Sequence, residues 1–210
     1  MSACRTTVPP VSRETHARLE IYAELLARWN RKINLVSPGS ISDLWRRHII
    51  DSTQLAYLAP MDARSWVDLG SGAGLPGLLV AAVRQETAPL ERMVLIDSDT
   101  RKSAFMAEAS RAMGVTVTIE TRRLGEHIEP RPFDVVSARA LSPLPKLLDY
   151  AEPFITSKTI CLFPKGRNRA TEIAAASRAW NMKVKEIESQ NEKEGVILRL
   201  GDLSRLIGPQ

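Results

Sequence analysis

The chain has 210 residues, 44% apolar and 25% charged, with a formal net charge of +5. That is enough for one substantial core, or one core with a helical extension, and the composition excludes a disordered or collagen-like chain. The longest apolar run, Leu78 to Val83, is too short to cross a bilayer. The opening MSACRTTVPP has no apolar stretch of the secretory kind, and Cys4 and Cys161 make no disulfide framework, so a soluble cytoplasmic protein is expected. His16, His48 and His127 lack zinc-ligand spacing, so no metal is expected.

Residues 1–11, with Pro9 and Pro10, read as disordered. Ser12 then stands as an N-cap before an apolar stripe of Leu19, Tyr22, Leu26, Trp29 and Ile33 at three- and four-residue steps. Ser37 to Ser40 (SPGS) breaks it. Ile41, Leu44, Trp45, His48, Ile49, Ser52 and Leu55 predict a second helix that ends near Pro60. Neither helix can be stable alone, so residues 1–60 are expected to be a helical extension packed on the rest of the chain. Residues 61–210 are expected to be the main domain.

After Pro60 short β-rich runs alternate with helical stretches. SWVDLG precedes a helix over Pro76 to Arg84, and RMVLIDS precedes one over Thr100 to Met113. VTVTIET is followed by a turn, FDVVSAR by a helix over Leu144 to Ala151, and TICLF by one over Asn168 to Trp180. MKVKEIE and GVILRL close the chain as a hairpin. The alternation predicts an α/β fold, a mainly parallel sheet with helices on both faces and antiparallel strands at one edge.

Within this frame, WVDLGSGAGLPG fits G-x-G-x-x-G at Gly72, Gly74 and Gly77, and Asp97 follows 20 residues on. The pattern suits a NAD- or FAD-type oxidoreductase. The charges do not. A pyrophosphate wants helix N–H groups and no carboxylate nearby, whereas Asp68 ends the strand and Pro76 has no N–H to offer. S-adenosylmethionine carries no phosphate and a positive sulfonium, which a carboxylate attracts. The spacing of Asp68, Gly70, Gly72 and Gly74, with Asp97 placed to accept from both ribose hydroxyls, resembles class I methyltransferases.

Charge is uneven. Residues 1–60 carry +3, residues 61–119 carry −1, and residues 120–210 carry +3, which suits a polyanion meeting the flanks of the glycine loop. Arg139 stands after the fourth strand, where a guanidinium can reach guanine O6 or a phosphate. Lys165, in FPKG after the fifth strand, is a candidate phosphate contact, as are Arg122 and Arg123 after the third. His48 fits either a packed ring or, with Arg47 and Asp51, a guanine entrance. Cys161 sits mid-strand, against a covalent mechanism.

WNRKINLVS, RHIIDS, DLGSGAGLPG, FDVVSARA and PKG occur in this order, and together they resemble the RsmG (GidB) family of bacterial 16S ribosomal RNA methyltransferases. The resemblance spans residues 16–200. It implies methylation of N7 of guanine 527 in 16S rRNA, with S-adenosylmethionine as cofactor and rRNA or the small ribosomal subunit as partner. Carried over by position, it implies that Gly70 and Leu75 line the cofactor, Leu124 and Gly125 flank its adenine, and Arg139 closes the site. The chain departs from the family at 124–125, where LG replaces a small or β-branched residue followed by Glu. Glu126, one step on, or backbone groups then take the adenine edge. A monomer is expected. The competing functions are a methyltransferase on a small molecule or protein, the dinucleotide oxidoreductase, and a non-catalytic RNA-binding module. Guanine N7 carries a lone pair and no proton, so its methylation needs no general base, in keeping with the absence of a close His–Asp pair.

Overall fold

The computed structural model describes residues 11–190 and 195–206. The expectation for residues 1–10 lies outside them, while Val11 packs against the core. Seven strands form one sheet: β1 Ser65–Leu69, β2 Arg92–Asp97, β3 Thr118–Thr121, β4 Val135–Ala138, β5 Ile160–Lys165, β6 Trp180–Glu188 and β7 Val196–Arg205. Their order is β3-β2-β1-β4-β5-β7-β6, with β7 antiparallel to both neighbours. The chain therefore winds outward from β1 through β3, then returns to β4 on β1's other side. That places a switch point between β1 and β4, where ligands bind beyond the strands' carboxyl ends. The helices are α1 Arg13–Trp29, α2 Asp51–Leu58, α3 Gly77–Thr87, α4 Thr100–Met113, α5 Leu144–Ala151 and α6 Arg169–Ala176. Two buried clusters lie on the two faces of the sheet, one with Leu19, Leu55, Leu78 and Phe105, the other with Val67, Val136, Leu148 and Phe163.

Several boundaries differ from the sequence pattern, each for a local reason. Ser12 caps α1 as expected, its Oγ accepting the Thr15 N–H at 3.0 Å. The helix stops at Trp29 and not at Ile33, because Asn30 Oδ1 accepts the N–H groups of Leu35 and Val36 at 2.9 Å and folds the chain back. The single helix expected from Ile41 is three pieces: a 3₁₀ turn over Pro38–Asp43, a wide π-helical turn over Trp45–Ile50, and α2. π-Turns recur at functional sites, and this one carries Arg47 and His48. β3 takes only the last four residues of VTVTIET, since Gly114 ends α4 in the left-handed region and Val115 packs into the core. The helix expected to reach Trp180 ends at Ala176, and Trp180 opens β6.

Candidate functional site

The glycine loop leaves β1 with Gly70, Gly72 and Gly74 all at positive φ, of 64°, 56° and 75°. An added Cβ at Gly74 would meet Leu78 at 2.4 Å, and one at Gly70 would meet Leu141 at 2.5 Å. At Gly72 the nearest atom would be Gly70 O at 3.9 Å, so a side chain there would stand in open space above the loop. Three supports hold the loop. Asp97 Oδ2 accepts the Gly72 N–H at 2.8 Å. Tyr22 of α1, its hydroxyl fully buried, donates to Ala73 O at 2.7 Å. Beneath, Trp66 Nε1 donates to Ser137 Oγ at 2.9 Å, and Ser137 donates to Asp68 Oδ1 at 2.6 Å. Asp68 Oδ2 in turn accepts the Gly77 N–H at 3.2 Å. The opening N–H of α3 is thereby taken by a carboxylate, and this helix start offers nothing to a phosphate.

Asp68 is wholly buried, and burial pushes its carboxyl up to about 6 against the pull of Ser137 and Ser71. The structure places the Asp68 side chain on the underside of the loop, between Ser137 and the Gly77 N–H. The side chain of Leu75 belongs to the core, so what it offers beside the loop is backbone. Asp97 does reach the surface of a cavity of about 370 Å³, with Gly70, Arg123, Leu124, Leu141 and Tyr150. The cap of α4 is Asp99, whose Oδ1 accepts the Arg101 N–H at 2.8 Å, so Asp97 is not needed for that role. Gly125, at φ 91°, lies against Tyr150 and not on the cavity wall. Glu126 is exposed and does not line the cavity either, which leaves Leu124, Tyr150 and backbone at the adenine edge. An acid at a strand end, a side-chain-free loop and an apolar wall together fit a nucleoside with a cationic tail.

Leu141 also lines a second cavity, of about 440 Å³, walled by Asp51, Arg139, Ser142, Lys165 and Glu172 among others. Between the two runs the loop after β4, where Ala140 holds φ 52° without being glycine, a strain of roughly 1–3 kcal/mol. Anchors on both sides keep it there. Arg139 donates to Ser52 Oγ at 3.3 Å, Arg47 O at 3.0 Å and His48 Nδ1 at 2.7 Å. Lys165 Nζ donates to Ser142 O at 2.7 Å and pairs with Glu172 Oε2 at 2.8 Å, and the same oxygen accepts the Leu144 N–H.

Two expectations change here. Lys165 is a strap on this loop, with a side chain only 10% exposed, and does not stand out for a phosphate. His48 lines neither cavity. Since Arg139 donates to Nδ1, the ring proton sits on Nε2 and is donated to Ser40 Oγ at 2.8 Å. Burial, with Arg139 and Arg47, pushes His48 down to about 4, so it stays neutral near pH 7, and its Nδ1 lone pair is taken by Arg139. Arg47 and Arg123 are exposed and free to meet a polyanion; Arg139 is largely sequestered. Cys161 is buried within β5, and burial pushes its thiol up. Tyr22, Ser137, Leu141, Tyr150 and Glu172 carry no sequence motif that marks them as site residues, save that Ser137 lies in SARA beside Arg139.

The family model described as GidB, rRNA small subunit methyltransferase G, matches residues 15–198. A relative named ribosomal RNA small subunit methyltransferase G, from Jannaschia sp. (strain CCS1), is 46% identical over 189 residues, 90% of this chain and 89% of its own. Among solved structures, ribosomal protein L11 methylase from Lactobacillus delbrueckii subsp. bulgaricus shares the fold with a TM-score of 0.59 at 13% identity, over 73% of this chain and 77% of that one. An O-methyltransferase from Bacillus cereus in complex with SAH does so with a TM-score of 0.57 at 13% identity, over 93% of both chains. The fold is that of a class I methyltransferase.

Proposed function

This chain belongs to the GidB family of small-subunit rRNA methyltransferases, and from that premise we propose that it methylates N7 of a guanine in 16S rRNA, guanine 527 by the family resemblance. It is an S-adenosylmethionine-dependent methyltransferase, and the dinucleotide alternative falls. The observation that carries the finer reading is the pair of cavities that share Leu141, one with the glycine loop and Asp97, the other with Arg139. S-adenosylmethionine, when bound, supplies an activated methyl group. Asp97 would take the ribose, the backbone at Gly70 and Gly72 would pass under the tail, and Leu124 with Tyr150 would hold the adenine. The protein's remaining task is alignment, because the donor is already activated.

Guanine N7 suits this site because nothing there needs to remove a proton. His48 is held neutral by burial and by Arg139, and it lies outside both cavities. Arg139 keeps its guanidinium for O6, away from a nitrogen that gains positive charge. Arg47 and Arg123, exposed on the rim, are the proposed phosphate contacts. Residues 1–60 are the proposed extension and residues 61–210 the proposed cofactor domain. Tyr22 and Arg139 tie the two together. The proposal includes a monomer in the cytoplasm. It is supported by the four large apolar side chains exposed among the described residues, Ile21, Tyr57, Met61 and Leu206, which are too few for an obligate interface. No helix among the described residues is long and apolar enough to cross a membrane.

The test is to map methylated nucleotides in rRNA from cells with and without the chain. The product should be cleaved by borohydride and aniline, the chemistry of 7-methylguanine. A methyl on an exocyclic amine would overturn the N7 reading. Sinefungin-sensitive methyl incorporation without ribosomal particles would favour a small-molecule or protein acceptor.

A further inference from the structure

The block from Trp29 to Ser37 lines neither cavity. Its place in the fold follows from the course of α1. Early in that helix Thr15 Oγ1 donates to Ala82 O at 3.4 Å and Arg18 pairs with Glu86, both in the later half of α3. Further on, Tyr22 donates to Ala73 O, in the glycine loop just before α3. So α1 runs against α3 and along β1, towards the carboxyl edge of the sheet that holds both cavities. Trp29 packs on Phe105, ring centroids 5.7 Å apart, soon after α4 leaves that same edge. From Tyr22 to Lys32 the chain rises about 15 Å further in this direction.

The end of α1 is closed and does not fray. The N–H groups of Lys32 and Ile33 both donate to Trp29 O, at 2.8 and 3.0 Å, and Asn30 Oδ1 holds Leu35 and Val36. Arg28, Arg31 and Lys32, at spacings of three and four, fall on one side of this turn, and all are exposed. Other exposed arginines sit against carboxylates: Arg46 on Asp43, Arg101 on Asp99, Arg205 on Asp149. These three cations have no side-chain ion pair or hydrogen bond among the described residues. The negative end of the helix dipole accounts for Arg28 in the last turn and does not call for two more. Like charges this close repel one another, so the folded chain gains nothing by gathering them.

A polyanion is the partner that fits such a turn. Each phosphate met releases counterions and fixes position without any base being read. We propose that Arg28, Arg31 and Lys32 form a second docking surface for rRNA, which grips backbone phosphates outside the target nucleotide. The inference rests on the rRNA reading above and adds to it the surface that holds the substrate away from the reacting base. The closed turn sets the cations in place before RNA arrives, so little ordering is left to binding.

The experiment titrates the full chain, with S-adenosylhomocysteine present, against small subunits from cells that lack it, at salt from about 50 to 200 mM. Combining Arg28→Gln, Arg31→Gln and Lys32→Gln should lower the slope of log affinity against log salt by about 2–3 and weaken binding at least about tenfold at about 100 mM salt. S-adenosylhomocysteine affinity should stay within about twofold. Arg31→Gln alone should take about 0.7–0.9 off the slope, and it carries the test should the triple variant fail to fold. Arg31→Lys, which keeps the charge, should hold the wild-type slope. Arg13→Gln removes the same charge from the exposed far end of the same helix and should leave the slope unchanged. A wild-type slope in Arg31→Gln would overturn the inference. So would an equal fall in Arg13→Gln, which would show a diffuse field and not a surface. A wild-type chain that neither binds nor methylates subunits would instead sink the parent reading, and the inference with it.

Discussion

Replacing Asp97 by alanine removes two kinds of interaction, and the structure separates them. In the protein itself, Asp97 Oδ2 accepts the Gly72 N–H at 2.8 Å and Oδ1 accepts the Asp99 N–H at 2.9 Å. Hydrogen bonds to a charged acceptor are worth about 1.5–3 kcal/mol each. Asp97 is 9% exposed, so water reaches one side and the lower end applies, about 3 kcal/mol for the pair. For a chain of this size that lowers the melting midpoint by roughly 6–12 °C. Each carboxylate oxygen keeps a second lone pair for a ribose hydroxyl, and losing those contacts should weaken S-adenosylhomocysteine binding by at least about tenfold. Calorimetric titration at 15 °C, where the variant stays folded, together with a melting curve, reads both effects. RNA affinity should hardly move. Normal cofactor affinity with a lowered midpoint would show that Asp97 only clasps the loop. Equal loss of cofactor and RNA affinity would show a general folding defect.

Gly72→Val should abolish S-adenosylhomocysteine binding, because the side chain would stand in the open space above the loop; its positive φ adds a cost of roughly 1–2 kcal/mol to stability. Normal binding would remove the loop from the site. Single-turnover methyl transfer should vary little from pH 6 to 8.5, and His48→Ala should retain a measurable rate; a limb in that range would contradict the neutral, enclosed ring. For stability the sign is fixed by the downward shift of His48 to about 4 from 6.5. Between these values the unfolded chain binds a proton that the folded chain excludes, so His48's contribution is complete above pH 6.5 and is lost as pH falls towards 4. His48→Gln should flatten that part of the melting-midpoint profile. Finally, Arg47→Ala and Arg123→Ala should each lower the salt slope of RNA binding by about 0.7–0.9. Lys165→Ala should leave the slope unchanged while it destabilises the fold by about 1–2 kcal/mol, since Glu172 would lose its half-buried partner and keep only the Leu144 N–H; a lower slope would restore Lys165 to the phosphate contacts.

The strand–helix alternation, the loop and the acid at the end of β2 were legible from the chain because each is a local pattern: a period, a glycine spacing, a residue at a strand end. Family motifs added the order of the blocks. The single chain could not say which polar residues face a ligand. Asp68, next to last in β1, and Asp97, last in β2, look alike in sequence, yet Asp68 turns under the loop towards Ser137 and Gly77 while Asp97 reaches the cavity. Lys165 ends β5 and Arg139 follows β4, yet Glu172 and Ser142 claim the first, while the turn over Trp45–Ile50 only orients the second. These choices depend on partners distant in the chain, 23 positions for Ser142 with Lys165 and 92 for Arg47 with Arg139, and on the wide turn that aims His48. Sequence determines which groups exist and near which strand end. Only packing decides how much of each group is already satisfied by protein, and whether what is left of it faces a cavity.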